Sequence, residues 1–308
     1  MRKMRITSTL TLSFLLLFSI ANAQDTFDEV YSILQANCAS SGCHGGASPV
    51  AFDLGSSKTA TYNALINVTP LNPAAAAKGN LLVDPGHPYN SFLLRKIGDT
   101  YDPYFDLEVA EGNEMPTSGA PALDDYEIEL IRQWILDGAD ITGTAIDTAM
   151  LHEYINIGGI GDMTPPVAPA AGQGFQLRMG PVFLDKNGTE IEYLKKERLY
   201  LPDDVEVTKL EGIMNSQSHH FLLFQFDSPT ASNQYDDGLR VVSILNTATD
   251  GAKELTSAWQ YNTAFELPTG TAFYWDKNDV LDMNYHIKNY SNDSILPCPT
   301  NCLFFHCL

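Results

Sequence analysis

Two groups of residues in this chain have types and spacings that could do chemistry. Cys38, Cys43 and His44 fall within "CASSGCH"; His219 and His220 are adjacent in "NSQSHHFLLF", and His286 follows in "MNYHIKNYS". Two thiols with a histidine directly after the second are how c-type haem is tethered: the sulfurs add to the vinyl groups, and the tether delivers the imidazole to iron. The usual spacer is two residues. Here it is four, Ala39, Ser40, Ser41 and Gly42, small enough to let both sulfurs reach opposite vinyls. The same residues also read as a local disulfide in an oxidising compartment, or, with a fourth ligand, as a zinc site. Imidazoles suit copper and zinc alike. Neighbouring side chains on a regular strand point to opposite faces, so His219 and His220 can share an ion only at a strand end or bulge, or through different ring nitrogens. Otherwise one is buried and one exposed, with no metal.

The elements around these residues follow from periodicity. Phe27, Val30, Tyr31 and Leu34 fall at i, i+3, i+4 and i+7, one face of a helix that runs into the cysteines. In "ALDDYEIELIRQWILDGAD", Asp124 is an N-cap with Glu127 three residues on, Ile128, Ile131, Trp134 and Ile135 make the apolar face, and Gly138 is the stop. A third short helix is expected in "HPYNSFLLRKI". From "GFQLRMGPVFLD" onward the pattern turns to period-two strands, including "TEIEYLKKERLYL", "DVEVTKLEGIMN", "HHFLLFQFD" and "VLDMNYHIKNYS". Many short strands with regular turn signals predict an antiparallel sandwich, most simply a jelly roll.

The compartment constrains the thiols. Arg2, Lys3 and Arg5 precede an apolar run from Leu10 to Ile20 and the small-residue sequence Ala21-Asn22-Ala23. This predicts a cleaved signal peptide over 1–23, too short in its apolar part to span a membrane, and a periplasmic or secreted chain with no membrane span. The net charge of -20 argues against nucleic acid or anionic membrane as partner; it favours solubility or a basic redox partner. The expected organisation is a helical domain at 24–145, a Gly/Pro/Ala-rich linker at 146–170, and a β domain at 171–296.

Met115 precedes Pro116 in a loop before the last helix of the first domain. A lone methionine is often core filler, and a thioether is also a common sixth ligand of haem iron. The helix running into the cysteines, the Met-Pro loop and the closing helix with its Trp and Gly-Ala end together resemble the class I cytochrome c domains of exported bacterial proteins, including those with the longer spacer. That resemblance covers 25–145 and implies an all-α fold. It also implies haem c, with Cys38 and Cys43 as thioether residues, His44 as proximal ligand and Met115 as distal ligand. His87 is a rival sixth ligand, though its place before Pro88 at a helix start assigns it to the surface.

"MNSQSHHFLLFQFD" with the later "VLDMNYHIKNYS" is similar to the first domain of the copper type II, ascorbate-dependent monooxygenases, the family of peptidylglycine and dopamine hydroxylases. This second resemblance covers 171–296 and implies copper held by His219, His220 and His286. Together the two imply an all-α cytochrome c-like domain followed by an all-β jelly roll. They further imply an oxidoreductase fed by a redox partner or a small-molecule electron donor and acting on a small organic or peptide substrate. That family carries a second copper domain, for which this chain leaves no room, so an incomplete or truncated enzyme is expected. The alternative is a non-catalytic electron-transfer protein with a β-sandwich docking module. The stretch 297–308, with Cys298, Cys302 and Cys307 beside His306, reads as an atypical tail.

Overall fold

The computed structural model describes residues 24–307 except 41, 46–52, 55–56, 103–104, 106, 118–120, 159–166, 171, 187, 215–217, 244–248, 259–261, 292–295 and 299–300. At 256–258, 262–263, 296–298 and 301–307 it gives the backbone path alone. The expected leader at 1–23 lies outside the described residues, as does 159–166 of the expected linker.

The first region contains α1 (Thr26–Asn37), α2 (Lys58–Leu65), α3 (Pro73–Ala77), α4 (Phe92–Ile97), α5 (Asp125–Leu136) and α6 (Thr148–Ile157). The spacing-based helices are present. Phe27, Val30 and Leu34 are buried on α1, and Phe27 stacks on Trp134 of α5 with ring centroids 4.9 Å apart. At the start of α5, the Asp124 carboxylate accepts from the Glu127 N–H at 2.9 Å while Glu127 accepts from the Asp124 N–H at 3.0 Å, a complete capping box.

The expected all-α cytochrome c-like domain is not what these residues build. Among the described residues the longest helices, α1 and α5, have 12 residues each, and α2, α3 and α4 between them have only 8, 5 and 6. Among the described residues of 38–124, parallel bridges between Ile66 and Val83 and between Leu81 and Ser91 pin the connections around α2, α3 and α4. The helical part of the stretch expected as a linker is α6, which buries Leu151 and sets Tyr154 edge-on to Phe183 at 5.0 Å.

The second region contains β1 (Gly174–Met179), β2 (Val182–Leu184), β3 (Glu190–Arg198), β4 (Val205–Ile213), β5 (Ser218–Phe226), β6 (Leu239–Val241), β7 (Ala252–Ala258), β8 (Asn262–Glu266), β9 (Phe273–Trp275), β10 (Val280–Lys288), β11 (Leu296–Cys298) and β12 (Asn301–Cys307). One sheet runs β1-β12-β4-β8 with β9 also on β4, the other β6-β3-β10-β5-β7, and β11 pairs β2. Among the described residues every pairing between these strands is antiparallel. A single core cluster draws Val207 and Leu210 from the first sheet and Phe221, Leu223, Met283 and Tyr285 from the second, so the sheets pack face to face. The stretch read as an atypical tail continues this architecture, with β12 lying between β1 and β4.

The two regions interlock, which replaces the expected chain of two separate domains with a helix-and-loop segment docked on an antiparallel β region. Phe183 of β2 belongs to the helical core and Leu136 of α5 to the β core. The buried Gln133 amide donates to the Pro181 carbonyl at 2.9 Å. Three glycines let backbone meet backbone at this seam. A Cβ on Gly86 would stand 2.4 Å from the Gly238 nitrogen, and one on Gly238 would stand 2.5 Å from the Asp137 carbonyl; Gly86, Gly138 and Gly238 have φ of 80°, 115° and 89°. Beside them His87 Nδ1 lies 3.2 Å from Glu197 Oε2, and the buried Lys195 ammonium pairs with the same carboxylate. His87 is thus buried at the seam, not on the surface. Among the described residues no helix is long and apolar enough to cross a membrane.

Two outcomes follow from the seam. Gly238→Ala places a methyl against immovable backbone at a left-handed φ, and urea denaturation should show a loss of about 2–4 kcal/mol. Burial alone would raise the Glu197 carboxyl, but Lys195 and His87 outweigh it and hold it at about 2. A depressed acid contributes stability above its ordinary value of 4.5 and loses it as pH falls towards 2. Glu197→Gln should therefore cost about 3 kcal/mol at pH 7, where it leaves Lys195 buried without its counter-charge, and progressively less below pH 4.5.

Candidate metal centre

The adjacent histidines meet on one side of the sheet because the strand pairing skips a residue. Along β5 and β10, His286 pairs with His220 but Ile287 pairs with Ser218, so His219 is the extra residue of a β-bulge at the start of β5. The alternation that would send His219 to the opposite face is cancelled there. His286 comes from the centre of the same sheet, where β10 sits between β3 and β5.

Among the described residues His219, His220 and His286 form the cluster that gathers metal-binding side chains, with candidate ligand atoms all within 4.8 Å of one another. His219 Nδ1 lies 3.0 Å from His286 Nδ1, and His286 Nδ1 lies 3.3 Å from His220 Nδ1. Two nitrogens bound at about 2.0–2.1 Å to one tetrahedral ion are roughly 3.3 Å apart, so these spacings are those of nitrogens sharing an ion. His220 and His286 are buried, while His219 is exposed and gives the centre its open side.

The opposite ring nitrogens decide the tautomer. His286 Nε2 lies 2.8 Å from Glu190 Oε1 and His220 Nε2 lies 3.2 Å from Glu192 Oε1. A carboxylate oxygen only accepts, so in each pair Nε2 carries the proton. A neutral imidazole protonated at Nε2 has its lone pair on Nδ1, and two such lone pairs then face each other at 3.3 Å. Such a contact is favourable only when a proton or a bound cation is shared between the two nitrogens. Burial chiefly holds the His220 pKa below its ordinary value, opposed by Glu192 and assisted by the other two imidazoles, which favours the neutral ligand form.

The surroundings supply negative charge as well. Glu192 is buried; its Oε1 also accepts from the Asn284 amide at 2.9 Å, and its Oε2 has no hydrogen-bond partner. Glu190 pairs with Lys288 at 2.9 Å. A ligand histidine whose other nitrogen donates to a carboxylate is the usual outer arrangement of a metal site. Sequence reasoning did not find Glu190 and Glu192. Their alternation in "TEIEYLKK" places them on one face of β3, but only the pairing of His286 with Glu192 brings that face to the histidines.

The other predicted group is held in a tight turn at the end of α1. The His44 N–H donates to the Cys38 carbonyl at 3.1 Å and the Gly45 N–H to the Ser40 carbonyl at 3.2 Å. Gly45 is obligatory, since a Cβ there would meet the Ala39 carbonyl oxygen at 2.1 Å. Cys38 and Cys43 are free thiols, the first half-buried and the second exposed. Burial, with Glu127 and Cys43 adding to it, pushes the Cys38 thiol up to about 11. Without a metal it is therefore protonated at neutral pH. Among the described residues Cys38, Cys43 and His44 do not gather into an ion-sized cluster. A neutral sulfur in a thioether is compatible with this setting. Met115 is half-buried, its loop fixed to the end of α4 by its N–H to the Lys96 carbonyl.

No model of a known protein family matches the chain, and no curated protein is significantly similar to it. The functional reading therefore rests on the sites themselves. Replacing Glu192 by alanine releases His220 from its fixed tautomer; a chelator-competition titration should show metal affinity falling about 10–100-fold. An unchanged affinity in a folded variant would remove the carboxylate from the centre.

Proposed function

We propose that this chain is an exported redox protein that holds copper at His219, His220 and His286 and haem at Cys38, Cys43 and His44. Haem bound at the first site would supply single electrons and copper bound at the second would accept them, in support of an oxygen-dependent, monooxygenase-type oxidation of a small organic or peptide substrate. The observation that carries it is the convergence of three Nδ1 atoms whose rings are fixed from behind by Glu190 and Glu192. An all-nitrogen set of imidazoles suits copper in either oxidation state, and copper bound there would supply a one-electron step. The basic leader followed by an apolar run supports export, and the Cys38-Cys43-His44 pattern supports covalent haem.

The chain's own residues then have separable duties. Glu190 and Glu192 hold the His286 and His220 rings through Nε2 and leave both Nδ1 atoms turned towards the third imidazole. His220 and His286 are buried and His219 is exposed, so a bound ion would be reached from solvent on the His219 side. At the other centre Cys38 and Cys43 would hold the haem, and His44 and Met115 would be the residues to bind its iron.

Exported protein prepared with copper and haem supply is expected to hold one copper per chain by elemental analysis. It should also show a covalent haem that survives denaturing electrophoresis. His286→Ala should lower copper affinity by about tenfold or more while leaving the haem, and Cys43→Ser should abolish the covalent attachment while leaving the copper. Zinc in place of copper under copper-replete conditions, or no haem on the exported chain, would overturn the corresponding half of the proposal.

A further inference from the structure

Asn284, at the middle of β10, is a polar side chain in an apolar row. Its register partners are Leu194 on β3 and Leu222 on β5, and all three residues are buried. Both hydrogens of its amide are in use: Nδ2 donates to Glu192 Oε1 at 2.9 Å and to the Tyr193 carbonyl at 3.2 Å. That carbonyl belongs to the backbone of β3, so the second bond fixes the amide relative to the sheet. Leu194 and Leu222 offer it no other partner, and the amide cannot turn without losing both bonds.

Glu192 is the next group along. It is buried, and its Oε1, besides accepting from Asn284, lies 3.2 Å from His220 Nε2. Among the described residues neither Glu192 Oε2 nor Asn284 Oδ1 has a hydrogen-bond partner. Two buried oxygens left unpaired lower stability, and a local departure of this kind from a satisfied core is characteristic of a functional site. A carboxylate at position 284 would set acceptor against acceptor, and an apolar residue would leave Glu192 without its donor.

We infer that Asn284 is a positioning residue of the histidine centre. It holds Glu192 in the rotamer that reaches His220, and through Glu192 it fixes the ring whose Nδ1 faces His286. The inference rests on the reading of His219, His220 and His286 as a metal centre, and it adds a third layer behind the imidazoles and carboxylates, anchored to the backbone of β3.

The test begins with Asn284→Val, which suits a buried strand and removes the donor. In chelator-competition titrations of the full chain with copper(II), this variant should bind about tenfold more weakly while keeping the wild-type circular dichroism. Asn284→Asp, which faces Glu192 with a second carboxylate, should lose at least as much. Adding Glu192→Gln to Asn284→Asp restores one donor and one acceptor in the reversed direction, and the double variant should bind more tightly than Asn284→Asp alone. A purely structural role would not produce that recovery. The metal-free chain gives a second readout: exchange of the His220 Nε2 proton with solvent, followed by NMR, should be about tenfold faster in Asn284→Val than in the wild type. Should Asn284→Val misfold, Asn284→Ala takes its place in both measurements. Unchanged copper affinity or unchanged exchange in the folded variant overturns the inference, as does a double variant that binds no more tightly than Asn284→Asp. A wild-type chain that takes up no copper would overturn the metal reading instead, and the exchange rates would still decide whether Asn284 positions His220.

Discussion

The constraint on which the β region depends is the nine-residue register of β10, paired along its length with β3 on one side and with β5 on the other. From Val280 to Ile287 every residue of this strand is buried, so both of its faces must be satisfied within the protein. Met283, Tyr285 and Ile287 turn to the core between the sheets. Asp282, Asn284 and His286 turn the other way, and each meets a specific partner: Asp282 accepts from Arg240 and from the Thr249 hydroxyl, Asn284 donates to Glu192 and the Tyr193 carbonyl, and His286 meets Glu190 and the other two histidines. A slip by one residue would drive a carboxylate, an amide and an imidazole into the hydrophobic core and leave the apolar set without cover. The polar ladder that fixes this register is the same ladder that forms the metal centre.

The seam between the regions obeys a different logic. Glycine contacts at Gly86, Gly138 and Gly238 allow backbones to approach more closely than side chains permit, and they bring the turn holding His87 to β3. The buried pair of Lys195 and Glu197 on β3 is covered by the helical region, whose His87 reaches the same carboxylate. Folding of the helical segment and completion of that polar pocket are therefore coupled, and neither region presents its final surface without the other.

Much of the local structure was legible in the sequence. The i, i+3, i+4, i+7 spacing in "TFDEVYSIL" and the Asp124–Glu127 cap identified α1 and α5, and period-two runs identified most of the strands. Two helices bracketing a cysteine motif did not identify the fold between them, because nothing at 27–44 or 124–138 constrains the long connections that the structure fills with short helices and parallel bridges. The strand β7, "AKELTSA", escaped notice for lack of a continuous β-branched run, and α6 because it abuts the Gly/Pro-rich stretch that dominated the reading of 146–170. His87 was misplaced on the surface because its partner Glu197 is 110 positions away. The histidine pair raised the right question, whether a bulge or strand end lay beneath it, but only the pairing register could answer it.

The bulge at His219 makes the centre depend on the count of residues as much as on their identity. Two adjacent imidazoles become partners on one face because β5 holds one residue more than β10 requires. Installing such a pair in another antiparallel sheet would thus call for an insertion at a strand end, since no substitution at fixed length can turn two neighbours to the same side. Loss of the centre over evolutionary time has an equally simple route: a one-residue deletion there restores strict alternation and separates the rings while every ligand type survives.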